Sequence, residues 1–183
     1  MNISRHCSFR MLVLLLLVLS TSLVSCKGKK KITDNPGITE IPANKEMAFR
    51  KGIVERARQF VGVKYKYAGR APETGFDCSG FTSYVLGLYN VKVSPASKIQ
   101  ATEGQAVTLE HAKAGDLVFF SSAGKGGKVT HVALVLDNTA EGILVVHSTS
   151  SRGVMVENVS VSKYWKPKLL FARDVISGQR AGQ

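Results

Sequence analysis

The chain has 183 residues, with 25 Lys and Arg against 13 Asp and Glu, for a formal net charge of +12. That length holds one domain with its own core. The basic excess narrows the partners to anionic ones: nucleic acid, lipid headgroups, or a polymer outside the membrane.

Residues 1–10 carry Arg5 and Arg10, and "MLVLLLLVLS" follows as an apolar run over 11–19. That run falls short of the roughly 20 apolar residues a membrane helix needs. A charged start, a short apolar core and a small-residue exit read as an export signal over 1–25. Its exit, "LVSC", resembles a bacterial lipobox. The resemblance implies that Cys26 is lipidated and becomes the first residue of the mature chain. An ordinary signal with an incidental cysteine is the alternative. Export argues against nucleic acid. The "KGKKK" cluster at 27–31 adds membrane affinity beside an acyl anchor, or is a solvated tether. Lys27 is not an acidic retention signal, which points to the outer membrane in a cell that has one. Of the cysteines, Cys7 and Cys26 belong to the leader and its exit, so Cys78 stands alone in the mature domain. A lone thiol in an exported chain invites a reactivity hypothesis.

Residues 26–44 are polar, with two prolines and two glycines, and read as a linker. From Lys45, apolar residues at helical spacing predict a helix over 45–60, with Gly62 as a stop. Residues 63–77 read as a loop. Phe81, Val85 and Leu88 share a face and predict a helix over 78–90. A mixed stretch at 91–115 has a short helix near 98–104. Strands follow at 116–122, 131–137, 142–148, 153–159 and 168–174, separated by Gly, Asn and Ser clusters. Helices first and strands afterwards give an α+β domain over 45–174, with helices packed on an antiparallel sheet of five to six strands. The tail, 175–183, reads as frayed.

A thiol attacks as its thiolate, and a helix N-terminus beside a basic partner favours that anion. If the helix starts at Cys78, its free N–H groups can also serve an oxyanion. The base must come from His111, His131 or His147, since His6 lies in the leader. His131 opens "HVALVLD" and His147 closes "ILVVHS". Neighbouring antiparallel strands could bring the two rings together, giving nucleophile, base and base-orienter. His111 sits in a loop with no apolar frame and reads as a surface residue. Asp116 belongs to the turn before its strand and carries no catalytic role. Taken singly, a cysteine near an apolar helix packs more often than it reacts, and a strand-end histidine is more often structural.

The stretch "GVKYKYAGRAPETGFDCSGFTSYVL", followed in order by "HAKAGDLVFF", "THVALVLDN" and "ILVVHSTS", resembles the NlpC family of bacterial cell-wall cysteine peptidases. The ordered matches run over about 48–173. The resemblance implies a papain-like α+β fold in which Cys78 is the nucleophile, His131 the general base and acid, and His147 the third member that orients His131. It places Tyr65 near the thiol, with Tyr67 as a rival, and Asp77 and Ser79 in the substrate cleft. "SKIQ" adds Ser97 as a further cleft residue. Asp77 could equally be only the helix N-cap, and Ser79 only a first-turn residue. The chain departs from the family's pattern at Ala68, which precedes Gly69 where two glycines are usual; a methyl there reads as tolerated. It departs again at "SPAS", which lacks the arginine often found before Ser-x-x-Gln.

The function implied is hydrolysis of peptidoglycan stem peptides by a monomeric, lipid-anchored cell-envelope enzyme, with no cofactor and no metal. The bond would join D-glutamate to the diamino acid, or form a cross-link at the diamino acid. The alternatives are a catalytically silent wall-binding lipoprotein, and an amidase or acyltransferase on a related Cys-His scaffold.

Overall fold

The computed structural model describes residues 43–180. The export signal, Cys26 and residues 27–42 of the expected linker lie outside them, as do 181–183. No helix among the described residues is long and apolar enough to cross a membrane.

Helix α1 spans Ala43–Arg58, starting inside the expected linker and ending before residue 60. Its buried residues, Arg50, Ile53 and Ala57, fall on one stripe. Glu46 sits in its first turn and Arg56 and Arg58 in its last, each matching the helix dipole. The loop that follows contains a small hairpin, β1 (Arg70–Ala71) with β2 (Gly75–Phe76). Two-residue strands are too short to leave a periodicity, so the sequence reads there as plain loop.

Helix α2 spans Cys78–Gly87. Asp77 is its N-cap, accepting the Gly80 N–H at 2.6 Å. A methyl on Gly80 would lie 2.0 Å from the Gly69 carbonyl oxygen, so the helix can approach the preceding loop only with glycine at that position. Ala68, in contrast, holds a left-handed φ of 55°. The methyl read as tolerated therefore sits in a conformation that costs an L-residue about 1–2 kcal/mol. The helix ends three residues before the expected 90, and Asn90, at φ 60°, turns the chain. A short helix, α3, spans Ser97–Gln100.

Six strands form one antiparallel sheet in the order β3-β8-β4-β5-β6-β7. They are β3 (Gln105–Val107), β4 (Leu117–Phe120), β5 (His131–Thr139), β6 (Gly142–Thr149), β7 (Gly153–Asn158) and β8 (Leu169–Asp174). β3 is the strand the hydrophobic pattern does not reveal: three residues, none fully buried, on a sheet edge.

The pleat sorts side chains between two cores. On one face Val132, Leu134 and Val146 pack with Phe81, Val85 and Ile53 from the helices. On the other, Ala133, Val135 and Val145 pack with Phe120 and Trp165. Full burial of each large apolar side chain contributes about 1.5–3 kcal/mol. α1 is pinned through Arg50, whose guanidinium reaches Glu46, Asp116 and Asp174 at 2.7, 2.7 and 2.8 Å.

The expected frayed tail is corrected for residues 175–180. Val175 and Ile176 are buried in the helix-side core. Asp174 Oδ1 accepts the Ile176 and Ser177 N–H groups at 2.9 and 3.0 Å, and the short helix α4 (Ser177–Arg180) follows. Two apolar residues after a capping aspartate find a place in the core, which a polar-looking tail disguises.

Candidate active site

A cavity of about 580 Å³ opens at the end of the sheet, lined among others by Tyr65, Cys78, Phe120, His131, Arg152 and Trp165. Cys78 enters it from the first residue of α2, and His131 from the first residue of β5. The Val132 N–H, one residue after His131, and the Ser79 N–H lie against the Cys78 sulfur and favour its anion. Helix start and strand start therefore meet at the thiol.

The His131 ring stacks on Trp165, with centroids 4.6 Å apart and planes at 24°, and touches the Phe120 ring at 5.6 Å. Its Nε2 lies 3.0 Å from His147 Nδ1, so Nδ1 is the ring nitrogen left for the thiol. His147 is fully buried. Its own Nε2 is the one buried side-chain nitrogen or oxygen among the described residues without a hydrogen-bond partner; the nearest carboxylate, Glu157 Oε2, stands at 3.7 Å.

Burial sets the resting charges. It pushes the Cys78 thiol up, opposed by the Val132 and Ser79 N–H groups. It holds His131 down to about 3, with His147 adding to the effect. It holds His147 down to about 4, against the pull of Glu157. At neutral pH the pair rests as thiol and neutral imidazole, and His131 is free to accept a proton.

Tyr65 also lines the cavity, and Cys78 and Asp77 add to the burial that raises its hydroxyl pKa. Tyr67 is 85% exposed and does not line the cavity. Asp77, Ser79 and Ser97 are not among the cavity's lining residues. Asp77 caps the helix. The Ser79 hydroxyl lies between Asp77 Oδ1 at 3.1 Å and the Pro95 carbonyl at 3.0 Å, so both side chains hold the helix start together. Ser97 opens α3, whose Gln100 anchors that helix to the Ser79 carbonyl at 3.1 Å. His111 is exposed in a 3-10 turn, and Asp116 precedes β4 in the ion cluster around Arg50.

Sequence patterns did not single out Trp165, Glu157, Arg152 or Lys168. Trp165 carried the one available signal, as the chain's sole tryptophan. The others reach the site only through sheet register and a loop fold.

Residues 62–174 match the NlpC/P60 family. The chain belongs to that family. Its α+β architecture, N-terminal helices against a six-stranded antiparallel sheet, is the NlpC/P60 fold. The chain is 37% identical over 124 residues to the gamma-DL-glutamyl hydrolase of Bacillus subtilis, a match covering 67% of this chain and 29% of that protein. An NlpC/P60 family protein of Bacillus cereus superposes with a TM-score of 0.63 at 29% identity, over 69% of this chain and 40% of that one. A Staphylococcus aureus NLP/P60 protein, described as similar to lipoprotein, gives a TM-score of 0.60 at 30% identity, over 78% and 45%. The chain spans less than half the length of the curated relatives it matches.

Proposed function

We propose that this NlpC/P60 chain is a cysteine peptidase of the cell envelope that hydrolyses amide bonds in peptidoglycan stem peptides. The observation that carries the reading is one cavity holding Cys78 and His131, with His131 Nε2 tied to His147 Nδ1 at 3.0 Å. The hydrolase relative supports the reaction class and a glutamyl bond. The name of a Bacillus cereus relative, gamma-D-glutamyl-L-lysine dipeptidyl-peptidase, supports a D-glutamyl bond to the diamino acid. A cross-link at the diamino acid is the other bond in keeping with the family resemblance.

In this mechanism Nδ1 of His131 takes the Cys78 proton while the sulfur attacks the amide carbonyl. N–H groups at the start of α2 stabilise the oxyanion, with the Tyr65 hydroxyl across the cavity. His131 then protonates the leaving amine. Water, deprotonated by His131, cleaves the thioester and restores the thiol. Trp165 and His147 hold the ring in place through these transfers.

Residues 1–25 act as an export signal in this reading, and Cys26 carries the lipid. Support comes from the "LVSC" exit and from the lipoprotein likeness of the Staphylococcus aureus relative. Purified peptidoglycan is digested with the protein and with Cys78→Ala, and the products are weighed by mass spectrometry. New free amines within stem peptides are expected from the parent alone. Equal product from both proteins overturns the nucleophile assignment, and release of intact stems from the glycan identifies an amidase instead. Labelled palmitate should be incorporated by the parent and lost in Cys26→Ala; label surviving that substitution refutes lipidation there.

A further inference from the structure

His147 poses a bookkeeping problem. If Nδ1 of His131 is to accept the Cys78 proton, the neutral His131 ring carries its hydrogen on Nε2. That hydrogen points at His147 Nδ1, 3.0 Å away, which must therefore be an acceptor. His147 then carries its own hydrogen on Nε2, the buried atom without a partner. The acceptor nearest to it is the carboxylate of Glu157, at 3.7 Å. Closing that gap to a hydrogen bond takes a shift of about 0.7 Å.

Sheet register puts Glu157 there. On β6 and β7, His147 pairs with Met155 and Val145 pairs with Glu157, so His147 and Glu157 share a face as diagonal neighbours. The carboxylate is itself held from several sides. Oε2 accepts from Arg152 Nη2 at 3.0 Å and from Trp165 Nε1 at 3.2 Å, and Oε1 accepts from the Ser162 hydroxyl at 2.8 Å. Trp165 is the ring stacked on His131, and it also lies 5.0 Å from His147. One carboxylate thus touches both groups that fix the catalytic imidazole.

We propose that Glu157 is a positioning residue: it holds His147 in the Nε2–H tautomer and, through Trp165, sets the plane of the His131 ring. The proposal rests on Cys78 and His131 being the reacting pair. Glu157 also places a negative charge behind the imidazolium that forms as the thiol loses its proton. The charges around it are Arg152 on Glu157 itself, and Lys168, whose ammonium lies 3.0 Å from the Tyr164 ring centroid and 5.9 Å from that of Trp165. Asp77 stands on the Cys78 side. Removing the Glu157 charge leaves the cations unopposed beside the histidines, so the imidazolium becomes harder to form.

The test reads thiol reactivity without any wall substrate. The full chain, Glu157→Gln and Glu157→Ala are alkylated with iodoacetamide across pH 5–10, at a temperature where circular dichroism shows each folded. The rate is taken from the Cys78 peptide by mass spectrometry, so Cys7 and Cys26 do not contribute. Glu157→Gln keeps the size and an acceptor but loses the charge. We expect it to react about tenfold to a hundredfold more slowly at neutral pH, the range seen when the outer-shell partner of a metal-bound histidine is removed. Its reactive limb should move up by about one pH unit. Glu157→Ala should lose more, because Trp165 is released as well. If both variants match the parent in rate and in the position of the limb, the proposal is overturned, whatever happens to their melting temperatures. A shifted limb in a protein that never cleaves stem peptides upholds the role of Glu157 and removes the substrate reading instead.

Discussion

Two buried polar clusters on this fold are built to different standards. Around Arg50 every direction is used: Nε to Glu46, Nη1 to Asp116 and the Ala114 carbonyl, Nη2 to Asp174 and Ser177. Around His147 the chain of contacts stops short, with a buried nitrogen facing a carboxylate at 3.7 Å. An unmade buried hydrogen bond costs about 1–3 kcal/mol. The closed cluster ties α1 to the sheet and has no proton to move. The open one lines up two imidazoles behind a thiol, where the proposed mechanism moves a proton. Complete pairing marks the structural cluster, and incomplete pairing marks the one the proposed mechanism uses.

Breaking each cluster should move different observables. The largest effect belongs to the histidine side: His131→Ala should lower stem-peptide turnover by about 10⁴-fold or more, with circular dichroism unchanged. Arg50→Met should do the reverse. It strands buried Asp116 and Asp174 and should cost about 3–5 kcal/mol of unfolding free energy. In urea melts the midpoint should fall, while Cys78 alkylation in the folded protein stays at the parent rate. A parent-like melt would mean the cluster is not structural.

Acid should separate the clusters next. The unfolded chain protonates both histidines near 6.5, but the folded protein holds His131 and His147 down to about 3 and about 4. The stability due to neutral, buried histidines is thus present above pH 6.5 and lost as pH falls through that window. Asp116 works the other way. Burial pushes it up to about 6 from 3.8, so in acid the folded protein protonates it first. Between pH 6 and 4 the unfolded chain binds about one more proton, a loss of about 1.4 kcal/mol per pH unit. Urea melts at half-unit pH steps should show that slope; a flat profile would contradict the neutral histidines. The smallest change is at Ala68. Relieving its left-handed φ, Ala68→Gly should raise stability by up to about 1 kcal/mol, once the extra freedom of glycine in the unfolded chain is counted.

Much of the molecule is legible in its sequence because local patterns sufficed. The five longer strands and both main helices show as period-2 and period-3.6 runs, and Asp77 before Cys78 is visible as a capping residue. His131 and His147 stand out as polar ends of apolar strands. What stays hidden depends on pairing across the chain. Glu157 sits mid-strand in "GVMVENV", and nothing in that spacing tells that β7 lies beside β6 in the register that faces it to His147. Arg50 looks like any basic residue on a helix; its partners arrive from 66 and 124 residues away. Val175 and Ile176 carry no periodic signal, because two apolar residues ahead of a polar tail do not make a run.

The stacking of Trp165 on His131 has an optical consequence. The sequence contains one tryptophan, and it lies against the imidazole that, in the proposed mechanism, gains a charge when the thiol gives up its proton. A charged imidazolium quenches indole emission more strongly than a neutral ring. The protein therefore carries its own fluorophore beside His131, and its emission can follow the protonation of that ring in real time, with no label attached.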